Sequence, residues 1–113
     1  MTFSTSLLYA IVESRKEDLE KKRHEILEQT ITEIKSVFNN SNVQEVYITG
    51  SILIPYKFTS RSDIDIAVKG LTAVDYFPVL SKLEESLLRI VEIIELENCR
   101  FADKIIGNSL RVM

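Results

Sequence analysis

Two acids, Asp63 and Asp65, sit two positions apart in a run that alternates apolar and polar residues, Ser62-Asp63-Ile64-Asp65-Ile66-Ala67-Val68. In a strand, residues i and i+2 share a face, so the two carboxylates point the same way with Cα atoms about 7 Å apart. Like charges on one face repel unless a cation lies between them. Carboxylate oxygens are hard donors and suit Mg²⁺, which keeps several waters and takes other ligands from substrate phosphates. Read alone, the pair is also what the wet face of a half-exposed sheet looks like. A second element is Gly50-Ser51, which follows the β-branched and aromatic run Val46-Tyr47-Ile48-Thr49. Glycine lets a backbone approach a phosphate closely, and Ser51 adds a hydroxyl and an N–H where a helix could begin. Alone, this too is an ordinary strand-to-helix turn with a serine cap.

Elements must bring these groups together. The chain has 113 residues, 45% hydrophobic and 27% charged, with three Gly and two Pro. That is one domain, 1–113, and not a disordered tail or a low-complexity linker. Residues 1–39 read as a long helix, with no Pro or Gly from Ser4 to Phe38 and apolar residues at helical spacing. At 1.5 Å per residue such a helix is about 50 Å long, more than so small a core needs. Its middle, Glu13 to Glu25, holds five acids and five bases and reads as a solvated, salt-bridged segment. Residues 43–113 form the remaining core. Strands are expected at 46–49, 62–68 and 90–96, a helix at 74–89 and a short helix at 101–106. Gly107 marks a helix stop, and Leu110 to Val112 an edge strand. The result is an α/β (α+β) layered fold, a small mixed sheet flanked by helices.

Composition narrows the function. A net charge of −3 offers no basic field for nucleic acid. No apolar run approaches the roughly 20 residues of a membrane span. One cysteine, Cys99, permits no internal disulfide, which fits a reducing, cytoplasmic setting, and it reads as a small half-buried residue. His24, the one histidine, falls in the charged helix segment and reads as a solvated or interface group.

The ordered combination is more specific than its parts. A strand ending in Gly50-Ser51, eleven intervening residues, and Asp63-Ile64-Asp65 on the next strand resembles the nucleotidyltransferase fold of the DNA polymerase β superfamily. It is most similar to the minimal nucleotidyltransferases, over roughly residues 26 to 113. The resemblance implies a metal-dependent enzyme that moves a nucleoside monophosphate, AMP from ATP, to a hydroxyl. Asp63, Asp65 and a third carboxylate would hold Mg²⁺ or Mn²⁺. Gly50, Ser51, Ser62 and Arg61 would contact the nucleoside triphosphate. The third acid is expected from Ile90 to Leu96, where Glu92 takes the family's place and Glu95 is the runner-up on the opposite face. The resemblance further implies a HEPN ribonuclease toxin as partner, with AMP transferred to one of its tyrosines and the chain acting as antitoxin.

Departures from the family matter. After Gly50-Ser51 the chain reads Ile52-Leu53-Ile54-Pro55, with neither the usual Arg nor a second Gly. Lys57 or Arg61 is then the nearby source of positive charge. Pro55 removes a backbone donor if Ser51 opens a regular helix. The third acid is Glu where the family has Asp. These features support an alternative: a catalytically weak or inactive subunit that neutralises or scaffolds a helical partner by binding alone. The apolar start of the first helix, Leu7, Leu8, Ile11 and Val12, offers an interface for that partner or for a homo-oligomer.

Overall fold

The computed structural model describes residues 5–113. The first helix, α1, spans Thr5–Val37, and the expected helical start at residues 1–4 lies outside the described residues. Then follow β1 (Glu45–Thr49), a single 3₁₀ turn (Ser51–Leu53), β2 (Ile64–Lys69), α2 (Ala73–Leu87), β3 (Val91–Glu95), a second 3₁₀ turn (Leu96–Asn98), α3 (Ala102–Gly107) and β4 (Leu110–Arg111). The sheet order is β3-β2-β1-β4. Strand β1 is antiparallel to β2 and β4, while β2 and β3 are parallel and joined through α2. The mixed sheet and flanking helices agree with the sequence expectation.

Alternation sorts the side chains. Ile64, Ile66 and Val68 are fully buried on the face that also carries Val46 and Ile48. Helices α1 and α2 cover that face with Ile34, Val79, Leu83 and Leu87, joined by Phe38 just after α1. The other face carries a smaller cluster, Tyr47, Ala67 and Leu96, under Ala102, Ile105 and Ile106 of α3. The acids lie on this second face, beyond the end of that cluster.

Two boundaries differ from the sequence reading. Helix α2 stops at Leu87, because Leu88 turns left-handed (φ 53°) and bonds back to the Glu84 carbonyl, a cap usually made by Gly. Leu88 is consequently exposed, as is Phe77 on the outer face of α2. Gly107 is the last residue of α3 without a positive φ, and the stop is made by the Asn108 N–H on the Ile105 carbonyl.

The charged middle of α1 is not uniformly solvated. Arg23 is 5% exposed. Its helical position is in line with Thr30 and Ile34, the other buried residues of α1. A buried guanidinium must have all its needs met. Here Nη2 donates to Glu20 Oε2 at 2.8 Å and Nη1 donates to the Ile52 carbonyl at 2.9 Å. Glu20 in turn accepts from the Tyr56 N–H at 2.5 Å. These bonds hold the glutamate's carboxyl below its usual range, Arg23 first and Tyr56 second. The same contact secures Tyr56, whose φ of 63° is unusual for a bulky residue. His24 is exposed, with Nε2 3.4 Å from Arg23 Nη2.

Replacing Arg23 with Met retains much of the volume and strips the donor from the buried Ile52 carbonyl. Urea unfolding should show a loss of about 1–3 kcal/mol. A loss under about 0.5 kcal/mol would mean that the 52–56 loop does not lean on this side chain.

Candidate functional site

Three strands place one residue each in a single row on the α3 side of the sheet. Thr49 pairs with Asp65, and Asp65 pairs with Glu92. Asp63 stands one residue ahead of β2, two positions before Asp65, and is exposed. Glu95 pairs instead with Val68, on the opposite face and three rows along, where its carboxylate accepts from Asn98. The parallel register therefore brings Glu92, not Glu95, to the aspartates.

This crowding is visible in the chemistry of Asp65. Its carboxyl is pushed up to about 6, first by partial burial, then by the charge of Glu92, a hydrogen bond shared with Glu92 and the charge of Asp63. A proton on Asp65 eases the repulsion between carboxylates so placed. A divalent cation could take that proton's place, completing its shell with water and phosphate oxygens. Among the described residues, no three acidic, histidine or cysteine side chains already converge as a metal-ligand set. The residues present fit a cation on the Asp65–Glu92 pair, with the exposed Asp63 near enough for its charge to act on Asp65.

Gly50 completes one wall. Its φ is 85°, and a Cβ there would run into Asp65 Oδ2. Glycine is needed so that the turn and the carboxylate can lie against each other. Gly50 caps the 3₁₀ turn, so Ser51 is the turn's first residue rather than the serine cap that the sequence suggested. The Leu53 and Ile54 N–H groups return to the Gly50 and Ser51 carbonyls. Ile54 is extended, as a residue before proline prefers, and the helix stops after one turn.

The remaining candidates lie in the loop from 54 to 63. Lys57 and Arg61 are exposed. The Ser62 hydroxyl accepts from the Thr59 N–H at 2.9 Å, so it is engaged in folding the loop. Arg89 is the residue that sequence reasoning missed. Its Nη1 donates to the carbonyls of Ser62 (2.9 Å) and Thr59 (3.2 Å), and its guanidinium lies 4.6 Å from the centre of the Phe58 ring. Arg89 thereby ties down the segment leading into Asp63. It lies just beyond the Leu88 cap of α2 and belongs to no motif; only the folded backbone reveals the role.

No family model matches the sequence, and no curated protein matches it. The fold, however, matches solved structures. One is a chain of the toxin–antitoxin MntA–HepT (19% identity over 74% of this chain and 69% of that chain, TM-score 0.55). Another is a toxin–antitoxin with AMP-PNP (20%, 74% and 72%, TM-score 0.61). A third is a minimal nucleotidyltransferase (21%, 84% and 93%, TM-score 0.58). At such identities the likeness is one of fold, and the fold is the nucleotidyltransferase type.

Because Asp65 titrates higher in the folded chain than its ordinary 3.8, the native state holds the extra proton between about pH 4 and 6. Stability should therefore fall as pH rises through that window. Asp65→Asn should be more stable than wild type at pH 7, on the order of 1 kcal/mol after allowance for solvent screening, and lose this advantage near pH 4. Carboxyl-carbon NMR titration should show Glu92→Gln lowering the Asp65 midpoint and Glu95→Gln leaving it in place. The opposite pattern would mean a shifted strand register.

Proposed function

We propose that this chain is a nucleotidyltransferase-fold subunit that neutralises a helical partner protein by binding, with nucleotide transfer weak or absent. The carrying observation is the first half of α1. Its first buried side chain is Arg23, and before it Leu8, Val12 and Leu19 lie about half exposed. An apolar face of this kind marks an interface. The likeness to chains of toxin–antitoxin complexes supports a toxin as the partner, of the HEPN ribonuclease type that the sequence resemblance implies. The short turn after Gly50, free of any basic side chain before Pro55, supports weak chemistry.

A second reading rests on the crowded Asp65–Glu92 pair. Here Asp63, Asp65 and Glu92 bind Mg²⁺ or Mn²⁺, and Gly50 and Ser51 approach the phosphates of ATP. AMP then passes to a tyrosine hydroxyl of the partner. The metal would supply charge neutralisation at the leaving pyrophosphate and activation of the acceptor hydroxyl.

Co-expression with a ribonuclease of the HEPN type that this chain binds separates the two. Under the first reading, wild type and the triple variant Asp63→Asn, Asp65→Asn, Glu92→Gln suppress RNA cleavage equally, and the partner's mass is unchanged. If the triple variant binds but does not suppress, and wild type adds the mass of one AMP to the partner, transfer is the function.

A further inference from the structure

Steps of four, three, four, three and four residues lead along α1 through Leu8, Val12, Arg15, Leu19, Lys22 and Ile26. That alternation keeps all six on one side of the helix over about 27 Å. Leu8, Val12 and Leu19 are 52%, 48% and 47% exposed. The stripe runs into a cavity of about 200 Å³, walled by Leu19, Lys22 and Ile26 on the helix and by Phe58 and Arg89 across from it. This face is therefore a groove with an apolar floor at one end and a half-exposed apolar ridge at the other.

Its charges say what fits it. Among the described residues, neither Arg15 nor Lys22 has an ion-pair partner, unlike Lys16 with Glu13 and Arg23 with Glu20. Arg89 donates from Nη1 to backbone carbonyls, not to a carboxylate. The stripe itself carries no acid. A second copy packed in parallel would set Arg15 on Arg15 and Lys22 on Lys22. Packed antiparallel about the middle of the stripe, it would set Arg15 against Leu19 and Lys22 against Val12. Either arrangement buries unpaired cations. Asp18 and Glu25 border the stripe along one side, which disfavours an anionic membrane surface.

We infer that this face receives an amphipathic helix of a different protein, one with apolar anchors at heptad spacing and two carboxylates seven residues apart that meet Arg15 and Lys22. The inference rests on the reading of the chain as a partner-binding subunit and names the recognition chemistry. Polar groups at otherwise apolar heptad positions set register and partner choice.

The probe is a fluorescent helical peptide of three heptads with leucine anchors and Glu at the two matching positions, beside an otherwise identical peptide with Lys there. Anisotropy with the full chain should show the Glu peptide binding about tenfold more tightly. Arg15→Gln plus Lys22→Gln should erase the preference, and Arg15→Glu plus Lys22→Glu should invert it, with circular dichroism confirming that each variant folds. Equal binding of both peptides would overturn the inference. So would concentration-dependent dimerisation that survives charge reversal, or sedimentation with phosphatidylserine vesicles in place of a peptide preference. These ratios do not pass through Asp63, Asp65 or Glu92, so they report on this face independently of the ribonuclease assay.

Discussion

A single buried guanidinium connects the long helix to the catalytic-looking end of the sheet. Arg23 lies under the loop that follows Gly50-Ser51, with Glu20 neutralising it on one side and the Ile52 carbonyl accepting from it on the other. Burying such a charge is costly unless both its charge and its donors are matched. The helix supplies the acid at i−3, the natural reach of a neighbour on one face. Glu20 then extends the restraint to Tyr56. The 52–56 loop, which has no regular helix to stiffen it, is thus held from outside by α1. On the far side of the same connection, Arg89 holds 59–62. Two arginines from two different helical regions define where the turn and Asp63 sit.

Against this stiff frame, the acid row is a place of opposed forces. Packing fixes the strand register through Ile64, Ile66 and Val68, and that register leaves Asp65 no choice but to lie beside Glu92. A proton or a cation would relieve that repulsion. Gly50 allows the turn to crowd Asp65 further, where any side chain would have pushed it off. Core packing and site electrostatics pull in different directions here, a common mark of functional positions.

Much of this was legible in residue order. The β-branched runs and their two-residue alternation locate the strands, and the absence of Gly and Pro marks α1. Glu92 could be preferred to Glu95 only by family position, since the choice depends on pairing between strands far apart in sequence; the pairing with Asp65 is a tertiary fact. Leu88 gave no sign of a left-handed cap, because local propensity there is overridden by its bond to Glu84 and the need to enter β3. Arg23 was hidden among nine charged neighbours. Its alignment with Thr30 and Ile34 was a faint signal, but only the loop packed across it shows that this one charge, and not the next, leaves water.

The sheet order has one more consequence. With β3 at the margin, its outer backbone N–H and C=O groups are unpaired by any strand among the described residues, and such an edge invites a foreign strand to add on. The apolar residues of Val91-Glu92-Ile93-Ile94-Glu95 are strongly β-forming, and segments of that kind stack edge to edge when they lack charge. Its two glutamates project from opposite faces of the ribbon, so a second copy laid alongside in register would meet like charge on both sides. The charge of Glu92 thus disfavours in-register stacking on the open side of the sheet, apart from any chemistry. An amide there would remove the charge from the candidate site and, at the same stroke, half of the protection on that margin.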